Sequence, residues 1–312
     1  MKKTLLFTLL SMLSSVGTWA VPSLVSGEET TIIDLSQVVA EVTAKNGDVL
    51  TGTPAVPVKV FIADGATVTL KNVTVGCLDE NYDELYSWAG ITCQGDATII
   101  LEGENYVCAY YFSCPGIQVG PTGKTLTIKG SGSLTAEGLT HGAGIGCGYL
   151  GSCGNIVIEG GNIKAIPGSA AGAAGIGSAE DASCGDITIS GGTIDAKCST
   201  GGASIGGGGD GSCGNITITE GITKVVAEDG GMSNEYIGKG YDGTCGTITI
   251  SSELNHVVDG RVHTLTPKVN AIESVATAAV DGAWYTLSGV KLQSEPTAHG
   301  IYVKDGRTVV IK

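Results

Sequence analysis

Arginine is nearly missing from this chain. Only Arg261 and Arg307 occur in 312 residues, and neither lies in the repetitive middle of the sequence. The formal net charge is −14. Binding to nucleic acid depends on Lys and Arg meeting phosphates, so that class of partner is excluded. An anionic polysaccharide would be repelled as well, unless a divalent cation bridged it. Charged residues make up 15% of the chain, well below the usual quarter or so. No run approaches about 18 consecutive apolar residues, which excludes a membrane-spanning helix. The four histidines, at 141, 256, 263 and 299, stand apart from the regularly spaced cysteines, so a zinc site is poorly supported. Helical apolar spacing is missing from the repeats too.

The first residues carry a pattern of their own. Lys2 and Lys3 precede the apolar stretch Leu5 to Leu13, and Thr18-Trp19-Ala20 offers small residues for cleavage. These three parts make a secretory signal peptide over 1–20. Losing it removes two lysines and leaves the mature chain more acidic still. No Cys follows the Ala20–Val21 junction, which argues against a lipid anchor there.

What is present is repetition. Ser152-Cys153-Gly154-Asn155-Ile156-Val157-Ile158 returns as Ser183 to Ile189, Ser212 to Ile218 and Thr244 to Ile250. The cysteines at 153, 184, 213 and 245 are 31, 29 and 32 residues apart. Weaker copies reach back through Leu126-Thr127-Ile128 and Ile99-Ile100-Leu101 to Val68-Thr69-Leu70, with Leu70, Leu101 and Ile128 taken as one column. Each unit holds three short apolar runs with alternation of period 2, parted by Gly, Ser, Asp or Asn, which reads as three strands and three turns. Such a unit cannot bury its apolar face alone, so neighbours must stack on it. A propeller blade needs about 40 residues or more, and a leucine-rich repeat needs its Leu ladder. The expected fold is therefore all-β: a right-handed parallel β-helix of about seven coils of about 30 residues, with a small β-rich C-terminal segment. The expected organisation is a signal peptide (1–20), an N-terminal cap (21–58), the β-helix (59–255), a cap and linker (256–280) and a β-rich tail (281–312).

Ile62-Ala63-Asp64-Gly65-Ala66-Thr67-Val68-Thr69-Leu70, Trp88-Ala89-Gly90-Ile91-Thr92-Cys93 and the Ser-Cys-Gly-Asn copies resemble a family of exported Gly-rich repeat proteins of Bacteroidales, with an architecture similar to pectate-lyase-like β-helices. The resemblance implies a secreted or outer-surface protein of a Gram-negative bacterium, with adhesion or glycan binding as its role. Trp284-Tyr285-Thr286-Leu287-Ser288-Gly289, Gly300-Ile301-Tyr302-Val303 and Val309-Val310-Ile311-Lys312 resemble a type IX secretion sorting tail; a plain β-rich cap is the other reading.

Three features carry candidate chemistry. Asp181, Asp210 and Asp242 each stand three residues before a repeat cysteine. Stacking would hold their carboxylates about 4.8 Å apart, where calcium, the candidate cofactor, would relieve the repulsion; solvated turns would relieve it equally. The cysteine column would allow Cys153–Cys184 and Cys213–Cys245 bridges, or a stack of buried thiols. Aromatic residues collect between 82 and 112. Tyr82, Tyr86, Trp88, Tyr110 and Tyr111, with Asp79 and Asp83 beside them, offer ring faces and hydroxyl acceptors that suit a sugar chain. Rings plugging the N-terminal end of the stack are the alternative. Gly202-Ala203-Ser204-Ile205-Gly206 matches a nucleophile-elbow pattern without the strand–helix turn it needs.

The expectation is a monomeric, non-enzymatic protein that binds a polysaccharide or host surface glycan. A β-helix polysaccharide lyase or hydrolase and a structural spacer are the alternatives.

Overall fold

The computed structural model describes residues 30–76, 87–170, 172–232, 235–268, 282–287, 290–305 and 307–312. These residues form a parallel β-solenoid with three faces, closed by an antiparallel hairpin, and a separate small C-terminal sheet. The only helical element among them is the 3₁₀ turn Leu35–Gln37. No helix of the described residues is long and apolar enough to cross a membrane.

The first face stacks Ala66–Val75, Ala97–Glu102, Thr125–Gly130, Asn155–Ile158, Ile187–Ile189, Ile216–Ile218 and Ile248–Ile250. In each strand alternate residues point inward, and Ile156, Ile158, Ile187 and Ile189 are fully buried. The second face runs from Glu104–Cys108 through Ser133–Glu137, Asn162–Ile166 and Gly192–Ala196 to Ile222–Glu228. The third face is narrow, with two-residue strands such as Ile145–Gly146, Ile176–Gly177 and Ile205–Gly206.

The register corrects one alignment. Ile128 pairs with Ile99, and Leu70 pairs with Leu101, so the column reads Val68, Ile99, Ile128, Ile158, Ile189, Ile218, Ile250. Shifting by two residues preserves which side chains point inward, so the sequence pattern alone did not distinguish the registers. Seven rungs result, joined by six full turns of 29 to 32 residues.

Polar side chains tie successive turns together. Oδ1 of Asp96, Asn155, Asp186 and Asn215 accepts from the backbone N–H of Thr125, Asp186, Asn215 and Thr247 in the following coil, at 2.8, 2.8, 2.7 and 2.9 Å. Each bond satisfies a turn N–H that has no strand partner at that corner. At the start of this ladder Lys124 Nζ lies 3.1 Å from Asp64 and 3.2 Å from Asp96. The hydrogen bond from Lys124 holds the Asp64 carboxyl below its usual range.

The two ends are built differently. Residues 30–58 continue the stack as shorter coils, with Ile33 on Leu50, Leu50 on Leu70 and Val42 on Val60 in parallel register. At the other end the hairpin Leu254–Asp259/Val262–Pro267 lies antiparallel on Ile222–Glu228 and covers the second face. The first face simply stops at Ile248–Ile250, leaving Ile248 40% exposed. The C-terminal sheet, Trp284–Thr286, Gly300–Lys304 and Arg307–Ile311, is antiparallel and buries Trp284 against Tyr302.

Candidate functional site

The aromatic residues expected to bind a ligand separate into two groups. Asp79, Tyr82, Asp83 and Tyr86 lie outside the described residues. Tyr110 is buried, 4% exposed, with its ring 5.7 Å from that of Trp88. Its hydroxyl accepts from Val58 N–H at 3.3 Å, while Trp88 Nε1 donates to Val58 O at 3.1 Å. Lys59 Nζ lies over the Trp88 ring at 4.7 Å. Tyr110 is thus a core plug at the N-terminal end rather than a ligand platform, and Trp88 packs half-buried against the same core. The strand Glu104–Cys108 ends before them: in the bend that follows, Tyr110 is buried and Tyr111 is half-buried.

Tyr111 and Phe112 make a different surface. Their rings are tilted, with centroids 5.0 Å apart, and Phe112 is 43% exposed. Phe112 stands on the wall of an open groove of about 860 Å³. The groove follows the turns that leave the second face. Its lining includes Glu137, Thr140, Ser169, Lys197, Glu228 and Arg261.

Register explains why these side chains align. Cys108 pairs with Glu137 and Glu137 with Ile166, while Ala196 pairs with Ala227, so Lys197 and Glu228 follow as rung neighbours. Ala136, Ala165, Ala196 and Ala227 point inward and are fully buried, which turns the next residue of each strand outward. Lys197 bridges Glu228 and, at 3.4 Å, Asp195. Partial burial opposes the Lys197 charge, yet Glu228 and Asp195 outweigh it and hold the ammonium above its ordinary value. Glu137 accepts from the Tyr106 hydroxyl at 2.8 Å. At the far end Arg261 Nε is 3.8 Å from Asp229, which also accepts from Gly231 N–H at 2.7 Å.

The groove therefore offers one exposed ring at its N-terminal end and a row of fixed acceptors and donors beyond it. Three carboxylates stand against two cations in its lining, so it carries little net charge despite the acidity of the chain. Sequence reading missed Glu137, Lys197, Glu228 and Arg261. Their residue types do not repeat, so only the register shows that Glu137, Lys197 and Glu228 share one column.

The aspartate column has a conformational origin. Asp181, Asp210 and Asp242 have φ of 51°, 52° and 49°, and Leu150, which holds their place one coil earlier, has φ of 57°. Short polar side chains are favoured in this left-handed region, so the turn itself selects Asp. The column lines a shallow space of about 280 Å³ with Ser183, Ser212 and Thr244. Among the described residues no three His, Cys, Asp or Glu side chains converge as a metal-holding group. The turn conformation supports the reading of the three aspartates as solvated turn residues, and calcium is the other reading of the column. Asp210→Gly is expected to keep or slightly raise stability, whereas Asp210→Val costs about 1–2 kcal/mol, because a β-branched residue tolerates positive φ poorly. Calcium and chelator should leave the unfolding midpoint of the wild type equal. A calcium-dependent rise in that midpoint, lost in Asp210→Gly, would establish the metal reading.

Among the described residues no disulfide joins Cys93, Cys114, Cys147, Cys153, Cys184, Cys198, Cys213 or Cys245 to another of them. Burial alone pushes Cys93 up to about 12. Ser204, of the elbow-like motif, is fully buried; its hydroxyl bridges the backbone of Glu228, accepting from the N–H at 2.8 Å and donating to the carbonyl. Its role is structural: it ties its own coil to the Glu228 backbone.

A family profile described as "Beta helix repeat" matches residues 126–149, 156–180 and 187–209. Over these three coils the chain is similar to that family. Each matched span begins in a first-face strand and ends just past a third-face strand, which is one coil of the β-helix. No curated protein and no solved structure matches the chain. The β-helix assignment rests on the repeat and on the observed register together.

Proposed function

We propose that this β-helix is a non-catalytic, carbohydrate-binding protein, exported to the surface or surroundings of a Gram-negative bacterium. The observation that carries the reading is the groove of about 860 Å³ with Phe112 at one end and a column of paired charges along it. A ring face stacks on the apolar face of a sugar, and fixed carboxylates accept hydroxyl hydrogen bonds. Rungs about 4.8 Å apart repeat the polar groups along the axis, which suits an extended chain over a compact ligand. The near balance of charge in the groove, within an acidic molecule, favours a neutral polysaccharide over a uronate polymer. The export reading is supported by the Lys2 to Ala20 leader pattern and by the likeness of the tail to a sorting signal.

The test is affinity electrophoresis of the mature chain through gels containing neutral or uronic polysaccharides. The expected result is retardation by at least one neutral polymer and none by uronic polymers. Retardation by uronic polymers alone would contradict the reading. The same incubations should release no new reducing ends and no unsaturated products; release of either would establish the enzymatic alternative.

A further inference from the structure

We propose that Cys213 and Cys245 form a redox-active thiol pair that closes to a disulfide across the last two coils. The inference is independent of the glycan reading.

Cys213 and Cys245 belong to the short parallel strands Ser212–Cys213 and Thr244–Cys245, which pair in register. In-register residues on adjacent parallel strands point to the same side, about 4.8 Å apart, within the Cα separation a disulfide accepts. The two thiols contact each other: Cys213 donates to Cys245, which raises the Cys213 thiol and lowers that of Cys245. Each is also held over a backbone carbonyl, Gly238 O at 3.6 Å for Cys213 and Gly214 O at 3.5 Å for Cys245.

Two features single out this pair among the cysteines of the column. Cys245 is part-exposed, so an oxidant reaches it, whereas Cys153 and Cys184 are 2% and 8% exposed. The coil carrying Cys245 is also the last on its face, with rung partners on one side alone. The Cα spacing already suits a disulfide, so side-chain rotation, with a small adjustment of this end coil, brings the sulfurs from contact to the bonding distance of about 2.05 Å. The Cys184 rung is clamped between coils on both sides, through Ser152, Ser183 and Ser212.

The chemistry is thiol–disulfide exchange with a low-molecular-weight disulfide. The Cys245 thiolate attacks one sulfur of the oxidant and expels the other as a thiolate. Cys213 then gives up its proton and attacks the Cys245 sulfur of the mixed disulfide, expelling the second thiolate. Two protein thiols are oxidised and one external disulfide is reduced to two thiols. The product ties the open C-terminal end of the stack to the coil beneath it.

The experiment treats the full chain with oxidised glutathione, alkylates the remaining thiols after unfolding, and maps digests without reductant by mass spectrometry. The expected result is a linked pair of peptides holding Cys213 and Cys245, released by dithiothreitol, with Cys184 alkylated. In Cys213→Ser, glutathione should accumulate on Cys245, since nothing resolves the mixed disulfide. Alkylation of both Cys213 and Cys245 in the wild type would overturn the proposal. So would a bridge from Cys184 to either residue.

Discussion

Gly177→Ala is expected to prevent the chain from reaching its native fold. Gly177 sits on the third face with φ of 134°, and its rung partner is Gly206. A Cβ at this position would overlap the carbonyl oxygen of Gly206, a backbone atom fixed by the next coil. Overlap with backbone cannot be relieved by a rotamer change. Overpacking costs about 1–3 kcal/mol where neighbours can shift, and the unfavourable φ adds about 1–2 kcal/mol. Here the neighbour belongs to the same continuous core, so the sum should exceed about 4 kcal/mol, a large part of the stability of an ordinary domain. Gly123→Ala is the control. Gly123 also has positive φ, 85°, but nothing lies within 4 Å of a Cβ placed there. It should cost about 1 kcal/mol, the conformational part alone. Comparison of soluble yield and urea midpoints separates the two. Equal midpoints would mean that the third face is not packed as tightly as its register implies.

Tyr110→Ala should destabilise the protein by about 3–5 kcal/mol, the range for removing a large aromatic residue from a core. The ring is buried against Trp88 beneath the shorter N-terminal coils, and truncation also leaves Val58 N–H without its acceptor. Tyr110→Phe keeps the ring and loses that acceptor, so about 1 kcal/mol is expected. Glycan binding by Tyr110→Phe should match the wild type, because the hydroxyl faces the core. A loss of binding at unchanged stability would return Tyr110 to the ligand surface.

These residues also mark how far the sequence could be read. The fold was legible because Ile, Gly and Cys recur together at intervals near 30, and the same residues prove to be inward-facing or tightly packed. The exchange of Leu101 for Ile99 in the column was not legible, since a slip of two keeps every side chain on its face. Tyr110 and Tyr111 are adjacent, of the same type and in an irregular bend beyond the strand Glu104–Cys108, so no periodicity in the sequence says which of them is buried. The aspartate column was visible and was read as calcium ligands or solvated turns; the positive φ at Asp181, Asp210 and Asp242, where short polar side chains are favoured, is a backbone property that the sequence alone did not display. The groove was the least legible feature. Glu137, Ile166, Lys197 and Glu228 share a column without sharing a residue type, so repetition says nothing of them and only the stacked coils bring them together.

Phe112 is the exposed ring of the groove, and its removal shows whether the groove holds a glycan. The measurement is isothermal titration of a neutral polysaccharide retained in the affinity gels, against wild type and Phe112→Ala. Phe112 is 43% exposed, so its removal should leave the urea midpoint nearly unchanged. Losing one stacked ring should weaken binding by about tenfold, equivalent to about 1.4 kcal/mol. Affinity unchanged within twofold, at unchanged stability, would contradict the assignment of this groove as the glycan site.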